Sequence, residues 1–274
     1  MPSVLNAITR QNSTRGDSDR LEKAASGALT LSRGLDVLER VAAGDRSLAD
    51  IAAALGMNKS TTHRLATTLV ELNFLNQGPR EGYSLGTRLL ELGQAAFQQI
   101  PVVRAARPHL LKLSADTGDA ANLGIIDDDR VYFLDKIQGS RRIMIQCTVG
   151  ERQMLRPTGL GKALLFDADD AVLRAVYARE AREQPDYKYD VDSWLRLIAG
   201  YRQAGYALDL DENDDQVRCV AAPVRDAANR IVAAISVSSP AQYMDDSRIG
   251  TLAVYVCETA AAISSDLGLK SSRL

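Results

Sequence analysis

Histidine, cysteine and tryptophan are scarce in this chain, and their scarcity excludes several kinds of site. Among 274 residues there are two histidines, three cysteines and one tryptophan. The cysteines, Cys147, Cys219 and Cys257, are odd in number and far apart, which argues against a disulfide framework or a closed zinc site. Unpaired thiols suit a reducing compartment, so we predict a cytoplasmic protein.

Long apolar runs and a strong net charge are missing as well. No run is long enough to span a membrane, and the first six residues lack the apolar core of a signal peptide, so we expect no membrane partner. Because the net charge is only -2, any argument for nucleic-acid binding has to be local. With 46% apolar and 25% charged residues the composition is globular, and the length allows about two domains.

Catalytic and metal-binding motifs are also absent. The sequence holds no His-Glu-x-x-His, no paired Cys-x-x-Cys and no Gly-x-Ser-x-Gly. Asp209, Asp211 and Asn213 match the first ligands of an EF-hand loop. However, Asp214 stands where that loop needs glycine, and Val220 stands where it needs glutamate, so a solvated acidic loop is the better interpretation. We therefore predict no enzyme, no catalytic residue, no metal site and no cofactor.

The segment Gly159-Leu-Gly161-Lys162 resembles a phosphate-binding loop without satisfying its pattern. Arg156 stands where the first glycine is needed, and Ala163 stands where serine or threonine is needed. What remains is a loop at a helix N-terminus, whose free N–H groups can hold an anion. A tight turn into a helix is the alternative, and both interpretations stay open at this point.

The stretch from Ser47 to Leu85 predicts a helix-turn-helix followed by a small β-wing. Ser47 and the acidic residue three positions later form a helix start, and Gly56 provides the left-handed residue that ends the helix. Asn58 is placed to cap a second helix from about Lys59 to Leu72. Two helices joined by a short turn containing glycine are typical of DNA-reading proteins, although such a pair also occurs as a packing unit without a DNA role.

The start of this second helix is polar and basic. No acidic residue lies between Asp50 and Glu71, so phosphates would meet a surface without repelling carboxylates. We predict base or phosphate contacts at four positions of the helix: Ser60, Thr61, His63 and Arg64. We predict phosphate contacts at three further cations, the last of them in the wing: Arg46, Lys59 and Arg80.

The rest of the chain completes an α+β architecture with four predicted parts: a flexible tail at 1–27, a winged helix-turn-helix domain at 28–87, a linker helix at 88–101 and a second domain at 102–270. A helix capped by Thr30 or Ser32 should support the helix pair through its apolar positions Leu31, Leu35, Leu38 and Val41. The linker helix carries an apolar stripe, for which a second copy of the chain is the simplest partner. In the second domain, hairpins beside helices predict a mostly antiparallel sheet, with one strand at Arg142–Cys147.

Two long motifs stand out in the chain. The first comprises Lys59-Ser-Thr-Thr-His-Arg-Leu65, Leu69-Val-Glu-Leu72 and Tyr83-Ser-Leu-Gly86. The second comprises Gly205-Tyr-Ala-Leu-Asp209-Leu-Asp-Glu212 and Cys219-Val-Ala-Ala-Pro-Val224. With these motifs the chain resembles the IclR family of bacterial transcription regulators. The similarity extends from about Leu31 to Leu267, and it departs from the usual pattern at Arg225, where an aromatic residue or histidine is expected.

This resemblance implies a winged helix-turn-helix, a connecting helix and a GAF-like effector-binding domain. It also implies a homodimer or dimer of dimers, a double-stranded DNA operator and a small-molecule effector. The effector pocket carried over position by position comprises Gly159, Leu160, Asp209, Cys219, Ser236 and Ser238. The loop N–H groups and two serines on one side of a strand suit a carboxylate, so we expect a metabolite that is a carboxylic acid to control operator binding.

Two other functional classes remain open at the level of sequence. An enzyme could use Asp209, Cys219 and Lys162 on a small acid, although no activating base is evident beside Cys219. A sensor module that binds protein partners would need no basic helix start.

Overall fold

A computed structural model of the chain describes residues 26–78, 81–143, 145 and 147–270. The chain divides into two compact units between Gln99 and Ile100. Most of the predicted tail, residues 1–25, lies outside the described residues. No helix in the described ranges is long and apolar enough to cross a membrane.

The N-terminal unit is a winged helix-turn-helix followed by a further helix. Its helices are α1 (Ser26–Ala42), α2 (Leu48–Ala54), α3 (Lys59–Glu71) and α4 (Thr87–Gln99), and its strands are β1 (Leu75–Gly78) and β2 (Gly82–Leu85). The two strands pair antiparallel from Leu75 opposite Leu85 to Gly78 opposite Gly82, which forms the predicted wing. The helix-turn-helix and the wing lie where the sequence pattern places them.

A small apolar core fixes α3 against α1, α2 and the wing. Its fully or nearly buried side chains are Val37, Leu38, Val41, Ile51, Leu65, Ala66, Leu75 and Tyr83. The apolar face predicted for α1 is therefore only half right, because Leu31 and Leu35 are 67% and 51% exposed. The predicted caps Thr30 and Ser32 are wrong, since the helix already begins at Ser26 and includes both.

The C-terminal unit alternates antiparallel strands with helices. Its helices are α5 (Pro101–Thr117), α6 (Gly159–Leu164), α7 (Asp170–Glu180), α8 (Val191–Ala204) and α9 (Asp246–Asp266). Its strands are β3 (Ala120–Asp127), β4 (Arg130–Ile137), β5 (Arg152–Gln153), β6 (Ala207–Leu210), β7 (Val217–Arg225) and β8 (Ile231–Pro240). Pro101 occupies the first turn of α5, where its missing N–H costs no helical hydrogen bond.

All neighbouring strands of the six-stranded sheet are antiparallel, in the order β5-β4-β3-β8-β7-β6. Helix α6 packs on β7 and β8, and α9 packs on β7 and α5. Consecutive residues of β7, from Cys219 to Ala222, are all buried, so both sides of this strand are covered. The α+β class and the antiparallel sheet agree with the sequence prediction.

The strand predicted at Arg142–Cys147 is wrong. The described residues of that segment are bends or irregular, and β5 forms later, at Arg152–Gln153. The Lys136 ammonium donates to the carbonyl oxygens of Ile145 and Cys147, at 2.6 and 2.9 Å. A side chain therefore binds these two carbonyls, in place of the strand-to-strand hydrogen bonds that the prediction implied.

Candidate DNA-binding helix and effector cavity

The first turn of α3 is held by its own side chains. Asn58 caps the helix, with its Oδ1 accepting the N–H of Thr61 at 2.8 Å, and the hydroxyl of Thr62 donates to the Asn58 carbonyl. Gly56 has a φ of +60°, which allows the sharp turn between the two helices. Because Thr62 is fully buried while its neighbours are not, the cap fixes which residues face solvent.

Most of the predicted DNA contacts are exposed on this unit. Lys59, Ser60, His63 and Arg64 are exposed and Thr61 is half-buried, and no acidic residue lies in the first turn. Arg46 is exposed before α2, and its carbonyl accepts the N–H of Tyr83 at 2.8 Å, which ties it to the wing. Arg80 lies outside the described residues.

The contact between the Arg46 carbonyl and the wing requires glycine at the position before Tyr83, Gly82. Its φ is +72°, and a Cβ added there would lie 2.2 Å from the Arg46 carbonyl oxygen. Only glycine allows the wing to approach the turn before α2 so closely. The sequence prediction did not single out this residue, although a glycine at the end of a short turn is the signal that could have identified it.

In the C-terminal unit, one cavity of about 40 Å³ brings all six predicted effector residues together. They are Gly159, Leu160, Asp209, Cys219, Ser236 and Ser238. The sheet register explains half of this set, because Asp209, Cys219 and Ser238 lie directly opposite one another on β6, β7 and β8. Opposed residues of an antiparallel pair present their side chains on the same face, so these three converge.

Asn122 is a cavity residue that the sequence prediction missed. It lies opposite Ser236 in the pairing of β3 with β8, and it is 1% exposed. Its Nδ2 donates to the hydroxyls of Ser236 and Ser238, both at 3.2 Å, and its Oδ1 accepts from the thiol of Cys147 at 3.4 Å. An asparagine inside the apolar run Ala121–Ile126 is the sequence signal for this buried polar group.

The loop at the start of α6 leaves two backbone donors free. Thr158 caps the helix, with its Oγ1 accepting the N–H of Gly161 at 3.1 Å and donating to the Met154 carbonyl. No acceptor within the described ranges bonds the N–H groups of Gly159 and Leu160. A Cβ on Gly159 would lie 2.9 Å from the sulfur of Cys219, so glycine is needed for the loop to approach the sheet.

Lys162 does not serve the cavity directly. Its side chain is fully buried, and its ammonium donates to the Leu208 carbonyl at 2.8 Å and to the Glu212 carboxylate at 2.6 Å. The hydroxyl of Tyr187 donates to the same carboxylate at 2.5 Å. Burial lowers the pKa of Lys162 and the Glu212 carboxylate opposes that change. The pair anchors α6 to the turn after β6.

Behind the loop, Arg156 is completely buried between two aromatic rings. Its guanidinium lies 4.8 Å from the ring centre of Tyr177 and 4.2 Å from that of Tyr187. The carboxylate of Glu180 accepts the backbone N–H of Arg156 at 2.8 Å, and the indole of Trp194 donates to the Arg156 carbonyl at 3.2 Å. These contacts hold the segment that leads into α6, and no sequence motif marked them.

Burial determines the protonation of Asp209 and Cys219, two of the titratable groups that line the cavity. It raises the pKa of Asp209 to about 7, partly offset by the Lys162 charge. Burial and the neighbouring Asp209 raise the pKa of the Cys219 thiol to about 12. A thiol that stays protonated at neutral pH is a poor nucleophile. The described residues contain no cluster of histidine, cysteine and acidic side chains that could hold a metal ion.

Comparison with known proteins matches both units to one family. The IclR helix-turn-helix domain matches residues 30–79, and the C-terminal domain of bacterial IclR transcriptional regulators matches residues 94–265. The regulator BhcR of Paracoccus denitrificans is 33% identical over 263 residues, which cover 94% of each chain. The chain belongs to the IclR family. Like other members, it is a DNA-binding transcriptional regulator.

Solved structures of IclR-family proteins share its fold. The IclR of Thermotoga maritima is 25% identical, with a TM-score of 0.74 over 87% of this chain and 98% of its own. An IclR homologue of Microbacterium hydrocarbonoxydans, complexed with 4-hydroxybenzoate, is 23% identical, with a TM-score of 0.73 over 87% of this chain and 98% of its own. The winged helix-turn-helix and the C-terminal sheet are therefore those of the family.

Proposed function

We propose that the start of α3 reads an operator and that a small organic carboxylate bound in the C-terminal cavity controls the affinity for it. The proposal rests on the presence of two features in one chain. The start of α3 is exposed and contains no acidic residue, and the other unit contains a buried polar cavity. Control by the ligand requires that it bind more tightly to one of two arrangements of the protein.

On the DNA side, we assign Ser60, Thr61, His63 and Arg64 to bases or phosphates because they surround the capped first turn of α3. Arg46, Lys59 and Arg80 are assigned to phosphates. A recognition helix presents its N-terminal residues to base edges in the major groove. Two copies of the chain would occupy successive major grooves, so the operator should be roughly palindromic, with half-sites spaced by whole helical turns.

A second copy of the chain is the partner that the N-terminal unit favours. Leu90 on α4 is 74% exposed, and Leu31 and Leu35, one turn apart on α1, are also exposed. Large apolar side chains grouped on helix faces are stabilised when another surface covers them. A homodimer, or a dimer of such dimers, supplies that surface and also the second recognition helix.

A carboxylate suits the donors of the cavity. The free N–H groups of Gly159 and Leu160 and the hydroxyls of Ser236 and Ser238, which accept from Asn122 and can donate to a ligand, all line one small space. Hydrogen bonds from such donors to an ionised acceptor are stronger than those between neutral groups. The family member bound to 4-hydroxybenzoate also takes an organic carboxylate.

The DNA-binding assignment is tested by Arg64→Ala. Arg64 is exposed on the second turn of α3, so its loss should leave folding unchanged and remove one base or phosphate contact. A fragment that wild-type protein selects from a random-sequence DNA pool serves as the probe at fixed salt. We expect binding to weaken by about 1 to 3 kcal/mol, or roughly 5- to 150-fold.

Arg88→Ala is the matched control, because it removes one exposed cation from the same unit but from α4. Its loss should weaken binding only slightly. Equal affinities for the two variants would contradict the assignment of α3 as the recognition helix.

A further inference from the structure

The described lining of the effector cavity contains acids and no base. Two of its residues are aspartates, Asp209 and Asp214, and none is a lysine, an arginine or a histidine. Asp214 is exposed to solvent, whereas Asp209 is only 5% exposed. An anionic ligand in this cavity would therefore meet a buried carboxyl group, and no cation in the described lining would neutralise the two charges.

The sheet register places Asp209 close to the proposed ligand-binding groups. Asp209 lies opposite Cys219, and Cys219 lies opposite Ser238, so the three residues form a row across β6, β7 and β8. Neighbouring strands are about 4.8 Å apart, so the backbones of Asp209 and Ser238 are separated by about 10 Å. Their side chains share one face of the sheet, and a ligand carboxylate at the Ser238 hydroxyl would therefore lie beside the Asp209 carboxyl group.

Little water can separate these two charges. The cavity holds about 40 Å³, which is room for a few water molecules, since one water needs about 10 to 15 Å³. Like charges in a small buried space repel each other far more strongly than they do in bulk water. Two carboxyl groups that share such a site do not both ionise, and one of them keeps a proton.

The groups around Asp209 leave its charge uncompensated. The Lys162 ammonium on α6 is already paired with the Glu212 carboxylate on the turn after β6, at 2.6 Å. Cys219 on β7 and Tyr201 on α8 are uncharged at neutral pH, because burial raises the pKa of each. Burial also raises the pKa of Asp209 to about 7, although the Lys162 charge acts in the opposite direction. Asp209 is therefore the group that can exchange a proton near neutral pH.

We propose that the effector cavity binds an anionic ligand together with one proton, and that Asp209 holds this proton. The proton comes from solvent, so the ligand and Asp209 together carry one negative charge in the complex. One oxygen of the protonated carboxyl group can donate to the ligand, while Oδ1 continues to accept the N–H of Glu212, at 2.9 Å. This inference rests on the proposed carboxylate effector and adds the dependence of its affinity on pH.

The test measures the binding of acetate and benzoate to the full-length protein by calorimetry between pH 6 and pH 8.5. Each probe has one carboxylate, ionised throughout this range, and no other titrating group. Affinity should change by less than about threefold from pH 6 to pH 7. It should fall about five- to tenfold from pH 7.5 to pH 8.5, because Asp209 must then recover a proton from solvent.

The same titrations count the proton directly. Phosphate and Tris have different heats of ionisation, so the difference between the binding heats measured in the two buffers gives the number of protons taken up. At pH 8 we expect close to one proton for each ligand bound, and at pH 6 close to none, because Asp209 is then protonated before the ligand binds. This readout uses the wild-type protein and needs no variant.

Asp209→Asn assigns the proton to its residue. The substitution removes the titrating group and keeps an Oδ1 that can accept the N–H of Glu212. The affinity of this variant for the probes should change by less than about twofold from pH 7.5 to pH 8.5. Asp214→Asn is the matched control, because it removes the exposed acid of the same lining, and it should retain the wild-type pH dependence.

Three outcomes overturn the inference, and they are distinguishable. If wild type binds a probe without pH dependence and without proton uptake, the carboxylate effector stands but no proton accompanies it. If Asp209→Asn keeps the wild-type pH dependence, another group holds the proton. If neither probe binds wild type at any pH, the carboxylate effector itself is wrong and the inference fails with it.

Discussion

Asp209 lines the cavity, and its protonation also affects the stability of the fold. Burial raises its pKa from an ordinary value of 3.8 to about 7, so the folded protein binds a proton that the unfolded chain has released between those two values. The stability that this proton provides is complete below about pH 3.8 and is lost as the pH rises to about 7. Asp209 therefore opposes folding at neutral and higher pH.

Replacing Asp209 with asparagine should remove this dependence. As the pH rises from 5 to 7, the free energy of unfolding of Asp209→Asn should increase relative to that of wild type, by at most roughly 1.4 kcal/mol per pH unit. Denaturant unfolding of both proteins across that range measures the difference. Asp215→Asn changes an exposed acid of the neighbouring turn and should show no such gain, and equal slopes for all three proteins would contradict the prediction.

At the scale of single residues, resemblance to a family predicted the cavity side chains, except for one whose place depends on which strands pair. Asp209, Cys219, Ser236 and Ser238 were predicted by resemblance, and they do line one cavity. Asn122 joins them only because β3 lies beside β8, a neighbourhood that local sequence does not encode. Arg80 lies outside the described residues, so its phosphate contact stays a prediction.

Among the elements, α6 depends on a close approach of backbone to backbone. A Cβ on Gly161 would lie 2.2 Å from the Leu155 carbonyl oxygen, whereas a Cβ on Gly200, exposed in α8, would meet nothing within 4 Å. Gly161→Ala should therefore lower the free energy of unfolding by roughly 1 to 3 kcal/mol through overpacking. Thermal or denaturant unfolding provides the measurement.

Gly200→Ala is the matched control for this prediction. It places the same methyl group in a helix without a clash and should raise stability by about 0.5 to 1 kcal/mol, since alanine suits a helix interior better than glycine. A Gly161→Ala variant as stable as Gly200→Ala would show that the contact with Leu155 relaxes at no cost.

Element type was predicted better than element boundaries. The caps at Ser47 and Asn58 were predicted correctly because a local side chain to backbone bond decides them. The start of α1 was predicted wrongly, because neither Thr30 nor Ser32 prevents the helix from beginning earlier, at Ser26. In the segment wrongly predicted as a strand, Arg142–Cys147, the Lys136 side chain binds the carbonyls of Ile145 and Cys147, a contact that the apolar pattern of the segment does not reveal.

At the scale of the whole molecule, the exposed leucines bear on assembly. Leu90 is 74% exposed on α4, so Leu90→Glu should leave the N-terminal unit folded while it disrupts a dimer formed through that helix. At one and the same concentration, we expect sedimentation velocity to show a dimer for wild type and monomers for Leu90→Glu. Val172→Glu, at a 48% exposed position on α7, is the control and should remain dimeric.

An unchanged sedimentation coefficient for Leu90→Glu would contradict the assignment of α4 to the dimer interface. The predicted boundaries at 28–87, 88–101 and 102–270 also belong to this scale. The chain divides between Gln99 and Ile100, within the predicted linker, but which residues fold independently stays a prediction. Periodicity and motifs gave the order of the parts, whereas unit boundaries depend on contacts between distant segments.

The indole of Trp194, bonded to the Arg156 carbonyl, is the single tryptophan of the chain. Its emission therefore originates entirely within the C-terminal unit, directly behind the loop that borders the cavity. A melting curve recorded through that fluorophore follows the disruption of the C-terminal unit. Quenching or a spectral shift on adding a metabolite would report occupancy without any label.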